Sequence, residues 1–187
     1  MLELKNFSNF ILKDISFILE KSENLLILGE NGAGKSTLAK VLSNLLPSSN
    51  LFFESKNIKD LSSYDRAKYI NYIPSRFEIF DEYLNVLEYL KLSTIEEKNI
   101  EDIEKIISLI KLENLKFSSC LNLSSGEQQL LLLASALLHN ANITIFDELT
   151  ANLDLNRVKD VFDILNSSLL SQKIVITHNL DFAYALK

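Results

Sequence analysis

The sequence predicts an α/β protein, a central sheet covered by helices, and three observations carry that prediction. Short apolar runs alternate with stretches of helical period along most of the chain. One continuous apolar run, Leu25-Leu26-Ile27-Leu28, suits a strand covered on both faces, and it feeds straight into a glycine-bearing loop and then a helix. All 4 glycines fall in two short segments, at 29, 32 and 34 and at 126, where about 13 would be usual for this length. Elsewhere the turns fall to Asn, Ser and Asp, so glycine is kept where a backbone must come close to something.

Taken in order, Leu2-Glu3-Leu4 and Ile15–Leu19 read as strands, the second alternating in part. Leu25–Leu28 is the buried strand, and Lys35–Leu46 the helix after its loop, stopped by Pro47. Leu51-Phe52-Phe53 and Tyr69–Ile73 are further strands, with a short helix over Tyr64–Lys68 between them. Residues 82–120 differ in texture. Leu84, Leu87 and Leu90, then Ile103, Ile106, Ile107 and Ile110, recur at helical spacing among charges, which marks a helical insert. No Gly/Pro-rich linker bounds it, so it reads as a subdomain of one domain. Ile143–Phe146 returns to strand, Leu155–Leu170 to helix and Lys173–Thr177 to strand.

A chain of 187 residues, 47% hydrophobic, fits one domain with a sizeable core. The net charge of −6 and the lack of any Lys/Arg run argue against a nucleic-acid partner. The longest apolar run, Leu130–Leu138 with Ser135 inside it, falls well short of the ~20 residues that span a bilayer. Met1-Leu2-Glu3 opens without a basic leader, and the single cysteine, Cys120, excludes an internal disulfide and reads as a small apolar core residue. A soluble cytoplasmic domain is the expectation.

The first glycine segment carries chemistry. Gly29-x-x-x-x-Gly34-Lys35-Ser36 is a complete P-loop pattern, with a buried strand before it and a helix after it. In such a loop the backbone N–H groups of Gly29, Asn31, Gly32, Ala33, Gly34, Lys35, Ser36 and Thr37 form a nest for phosphate oxygens at a helix N-terminus. A side chain at Gly32 or Gly34 is expected to block that approach. Lys35 brings a positive charge to the β and γ phosphates, and the Ser36 hydroxyl can ligate Mg²⁺.

The second segment, Leu123-Ser124-Ser125-Gly126-Glu127-Gln128-Gln129, begins a long apolar helix, and Ser124 with Glu127 forms a capping box. An apolar strand ending in Asp147-Glu148 follows, then Leu149-Thr150-Ala151-Asn152-Leu153-Asp154, then Thr177-His178. Neighbouring strand-end carboxylates diverge, so Asp147 and Glu148 can serve different tasks. This ordered set closely resembles the signature, Walker B, D-loop and switch-histidine motifs of ATP-binding-cassette (ABC) ATPases, and the resemblance spans nearly the whole chain.

The resemblance implies a P-loop NTPase with the ABC-ATPase fold. Residues 1–81 and 140–187 would form a mixed-sheet nucleotide-binding core with antiparallel N-terminal strands, and 82–139 a helical subdomain bearing the signature. It implies ATP and Mg²⁺ sandwiched in a head-to-tail homo- or heterodimer of cassettes. Each site would take Lys35 from one copy and Ser124, Ser125, Gly126 and Glu127 from the other. Asp147 would support Mg²⁺ through water, Glu148 would be the general base, His178 would contact the γ-phosphate, and Asp154 would touch the partner. Phe10, ahead of Phe7, would stack on the adenine. His139 has no comparable setting and reads as a residue favoured by the helix dipole at a C-terminus.

Departures from the family pattern accompany the resemblance. Ser75 stands where a glutamine that contacts metal or lytic water is expected, and could reach the metal only through an intervening water. Ser125 replaces a signature glycine, and Leu149 a proline after the glutamate. The chain stops 9 residues after His178, where further helices are usual. ATP binding is expected to survive these changes, with hydrolysis slow or poorly coupled.

The leading expectation is the ATPase subunit of an ABC transporter, held on the inner face of the cell membrane by transmembrane permease subunits. Leu61–Lys68 ahead of Tyr72-Ile73-Pro74 resembles the ferric-siderophore and cobalamin importers. The alternatives are a degenerate or regulatory subunit that binds ATP with little turnover, and a soluble ABC ATPase outside transport.

Overall fold

Alternation of side chains along the first strand sets the architecture, because Leu2 and Leu4 are buried while Lys5 faces water. A computed structural model describes residues 1–79, 81–96, 98–151 and 153–186. Strands β1 (Leu2–Phe7), β2 (Ile15–Leu19), β4 (Leu51–Phe53) and β5 (Lys56–Asn57) form an antiparallel sheet in the order β2-β1-β4-β5. Strands β3 (Leu25–Leu28), β6 (Ile70–Ile73), β7 (Ile143–Asp147) and β8 (Lys173–Thr177) form a parallel sheet in the order β3-β8-β7-β6.

Two apolar clusters hold these layers together. Leu2, Leu4, Leu19 and Leu51 meet Ile143, Ile145, Ile174 and Ile176 of the parallel sheet, together with Ala39 and Leu42 of α1 (Lys35–Leu42). The intervening residues, Phe146 and Val175, belong to the second cluster, as the two-residue period of a doubly covered strand requires. There they join α3 (Val86–Leu92), α4 (Ile100–Leu109), α5 (Ser125–His139) and α6 (Leu155–Asn166) in one continuous core. The helical stretch therefore has no core of its own. Cys120 lies fully buried within it, and burial pushes its thiol up to about 11.

Two helices end sooner than the sequence pattern suggests. Helix α1 stops at Leu42 because Asn44 turns left-handed (φ 57) and the Leu46 N–H returns to the Lys40 carbonyl at 2.9 Å. Helix α6 stops at Asn166, before an extended Ser167 whose hydroxyl donates to the Ile164 carbonyl. The two-residue β5 and the short α7 (Leu180–Ala185) escape the sequence pattern, whereas α2 (Ser63–Tyr69) lies where it was expected. Of the 9 non-glycine residues at positive φ among those described, Asp14, Ser22, Asn44, Ser55 and Asn140 take places that glycine often takes at turns and element ends, and Asn6 sits at the register shift within β1.

His139 has a larger role than a dipole partner. Its Nδ1 lies 3.1 Å from the Ser93 carbonyl oxygen and its Nε2 2.8 Å from that of Ala67, so one ring ties α2 and the end of α3 to α5. At the other end of α5, Ser124 accepts from the Glu127 N–H while the Glu127 carboxylate takes the Ser124 N–H at 2.8 Å and its hydroxyl at 2.7 Å. These bonds, the hydroxyl's first, hold the Glu127 carboxyl below its ordinary value, with help from Arg157.

Two outcomes follow from α5. A depressed folded pKa gives stability that is present above the ordinary 4.5 and lost as pH falls through the lower folded value. Glu127→Gln should therefore be less stable than wild type at neutral pH, the gap closing as urea unfolding is repeated below pH 4.5. His139→Ala should lower the unfolding free energy by about 1–3 kcal/mol, the worth of one or two hydrogen bonds.

Candidate functional site

The parallel register places four motifs side by side. Leu28 pairs with Thr177, Ile176 with Asp147, and Phe146 with Ile73. The carboxyl ends of β3, β8, β7 and β6 thus deliver, in a row, the P-loop, His178, Asp147-Glu148 and Ser75. Ligands of parallel sheets bind at this edge.

Helix α1 opens on that row without a side-chain cap, and its first turn carries no acid. Every other α-helix among the described residues is capped by a side chain, from Ser62, Asn85, Asn99, Ser124, Asp154 or Asn179. The α1 N–H groups and their partial positive charge are left for an anion. Gly32 and Gly34 adopt φ of +85 and +90, which a side chain would strain. A Cβ on Gly34 would also strike Ile11 Cγ2 at 2.8 Å, whereas at Gly32 it would meet no protein atom within 4 Å.

That contact also locates Phe10. Asn9 Oδ1 accepts from the N–H groups of Ile11 and Leu12 at 2.8 and 2.7 Å, a tight turn that lies against Gly34 and leaves Phe10 102% exposed. Phe10 is no part of the core, while Phe7 and Phe17 pack against it.

Lys35, Glu148 and His178 form one cluster. Lys35 is buried, and its Nζ donates to the carbonyls of Gly29 at 2.8 Å and Glu30 at 3.0 Å and sits 3.6 Å from Glu148 Oε1. The other oxygen, Glu148 Oε2, lies 2.8 Å from His178 Nδ1. Glu148 itself is left-handed (φ 56), which swings its carboxylate away from that of Asp147. Leu149, where a proline ring was expected, is 2% exposed and fastens the turn by burial instead.

Asp147 faces a different cavity. Ser36, Tyr72, Ser75 and Asp147 line a space of about 680 Å³ beneath the loop after β6. The Tyr72 hydroxyl donates to Asp147 Oδ2 at 3.1 Å, and burial, then the Asp147 charge, pushes its phenol up. Asp147 Oδ1 is buried without a hydrogen-bond partner. An oxygen pair of this kind, the Ser36 hydroxyl and a carboxylate, fits Mg²⁺ rather than a softer metal. No group of three or more His, Cys, Asp or Glu could cage a metal among the described residues, so further ligands would come from phosphate and water. The Ser75 carbonyl accepts from Gln129 Nε2 at 2.7 Å, which pins this loop to α5.

The signature residues make their bonds away from the P-loop. Ser124 and Ser125 are exposed, Gly126 is buried, and no hydrogen bond or ion pair joins 124–127 to residues 29–37 among the described residues. Their link runs to the D-loop: Arg157 lies 3.8 Å from Glu127 and 3.6 Å from Asp154, which caps α6. Asn152 lies outside the described residues. Sequence reasoning missed Tyr72, Gln129 and Arg157. Only Arg157 carried a signal, its spacing of three from Asp154 at a helix start.

A family model described as "ABC transporter" matches residues 12–151. The zinc import ATP-binding protein ZnuC of Buchnera aphidicola subsp. Schizaphis graminum is 34% identical over 199 residues, covering 99% of this chain and 78% of that protein. Among solved structures, cbiO1 from Clostridium perfringens, part of the ABC transporter complex cbiONQ, superposes with a TM-score of 0.77 at 25% identity, over 97% of this chain and 79% of that one. The dimeric structure of a bacterial ABC transporter cassette reaches a TM-score of 0.84 at 22% identity, over 99% of this chain and 91% of that one, and shows the shared fold. The chain belongs to the ABC transporter family: it is an ATP-binding cassette, the ATPase subunit that powers transport.

Proposed function

We propose that two cassettes close face to face over two ATP molecules, and that this motion drives import of a metal ion or metal chelate through transmembrane permease subunits. The observation that carries the reading is the uncapped N-terminus of α1 beside buried Lys35, at the strand ends that also bear Glu148 and His178. The exposure of Ser124 and Ser125 at the start of α5, with Gly126 and Glu127 beside them, supports a site completed by a second cassette, a copy of this chain or a related one. Asp154, exposed at the start of α6 beside Arg157, would meet that partner. The zinc-import relative and the resemblance to siderophore and cobalamin importers support the cargo class. No helix among the described residues is long and apolar enough to cross a membrane, so attachment to the inner face of the membrane falls to the permease subunits.

In this reading the nest at Gly29–Thr37 cradles the phosphates, and Lys35 exchanges carbonyl and carboxylate contacts for the β and γ oxygens. Phe10 stacks on the adenine from its turn against Gly34. Ser36 directly and Asp147 through water would hold Mg²⁺, which would supply positive charge to the phosphate oxygens when bound. Glu148 orients the lytic water and takes its proton as the water oxygen bonds to the γ-phosphorus and the bond to the β–γ bridging oxygen breaks. His178, 2.8 Å from Glu148 Oε2, fixes the carboxylate and contacts the γ-phosphate. Ser75 offers no amide to the lytic water, and Ser125 adds a hydroxyl near the partner's phosphate, so turnover is slow.

Glu148→Gln should lower ATP turnover by about 10²–10⁴-fold and trap an ATP-bound dimer visible by gel filtration. Equal inertness of wild type and Glu148→Gln, alone and with permease subunits, would replace this reading with that of a subunit gated by ATP binding alone. Phe10→Ala should weaken ATP binding by about 0.5–1.5 kcal/mol in a calorimetric titration while leaving the melting temperature unchanged, since the ring packs on nothing.

A further inference from the structure

Tyr72 has no part in the mechanism above, yet it touches one of that mechanism's residues directly. It lies on β6 in register with Ile145, two residues before Asp147 on β7, and its hydroxyl donates to Asp147 Oδ2 at 3.1 Å. Asp147 is 1% exposed, and its second oxygen, Oδ1, has no partner. A buried carboxylate oxygen left unpaired is costly, so it normally answers to something the protein binds. Both side chains line the cavity that also holds Ser36. Ser75 lines the same cavity with a short side chain, and its carbonyl is taken by Gln129. Glu78 also lines this cavity but is exposed, so Asp147 is the buried carboxylate there with an unpaired oxygen, and Tyr72 decides which of its two oxygens is free.

We propose that Tyr72 is a positioning residue for the metal: by occupying Asp147 Oδ2 it fixes the carboxylate rotamer and commits Oδ1 to the water shell of Mg²⁺. The inference rests on the reading that Ser36 and Asp147 hold Mg²⁺. A group that orients a metal ligand typically changes metal affinity by 10–100-fold when removed. Neither the phosphate nest nor the adenine platform involves Tyr72, so affinity for metal-free nucleotide should not change.

The test measures binding of a fluorescent ATP analogue across a free Mg²⁺ titration and in excess EDTA, for wild type, Tyr72→Phe, Asp147→Asn and the double variant. Tyr72→Phe should raise the half-saturating Mg²⁺ concentration by about 10–100-fold with EDTA affinity held within twofold. The double variant should need no more metal than Asp147→Asn alone, because the hydroxyl acts only through that carboxylate. Tyr72→4-aminophenylalanine, which restores a donor on the same ring, should return the requirement toward wild type, and Tyr72→4-fluorophenylalanine, which keeps the ring's size without a donor, serves in place of Tyr72→Phe should that variant not fold. The proposal fails if Asp147→Asn raises the metal requirement while Tyr72→Phe stays within twofold of wild type, or if the amino ring gives no recovery. Nucleotide binding indifferent to Mg²⁺ in wild type and Asp147→Asn alike would instead bring down the reading of the metal site, and this inference with it.

Discussion

A lysine ammonium held at the open end of a helix is the contact on which the rest of the molecule turns. Lys35 is buried, bonded to two loop carbonyls and 3.6 Å from Glu148. A charge in that position is tolerable because carbonyl dipoles and a carboxylate surround it. The same residue begins α1, whose N–H groups no side chain takes. Positive charge from two sources thus converges on one spot, and Glu148 is the local counterweight. Phosphate is the ligand class that satisfies both sources at once.

The apolar scaffold explains why these groups meet. Isoleucines at 143, 145, 174 and 176 face the antiparallel sheet and α1, while Phe146 and Val175 face the helices. A slip of one residue in either strand would exchange those faces, so the register is strongly specified. That register sets Asp147 beside Ile176 and therefore Glu148 next to His178. Packing on two sides of one sheet positions the polar row at its edge.

Much of this was legible because glycine is so scarce. The P-loop, the capping box at Ser124 and the carboxylates at 147 and 148 are local patterns, each set by residues a few positions apart. Phe10 could be nominated from its place upstream of the loop, but its exposure follows from the Asn9 turn, which sequence periodicity does not register. The ends of α1 and α6 were misjudged because Asn44 and Ser167 stop helices through backbone conformation and side-chain bonds, without glycine. Tyr72, Gln129 and His139 make their decisive contacts 75, 54 and 72 residues away. Contacts at that range belong to the tertiary structure and leave no local trace.

The left-handed backbone at Glu148 has a consequence for how this site can change over time. Glycine would sit most comfortably at φ 56, and asparagine next, yet neither carries the acid. A carboxylate there stores conformational strain that the burial of Leu149 and the bond from its own N–H to the Ile176 carbonyl must hold in place. Drift toward a more relaxed residue would make the fold more robust at the expense of its chemistry. A glutamate at this turn thus costs stability that glycine or asparagine would not, which ties its presence to chemistry.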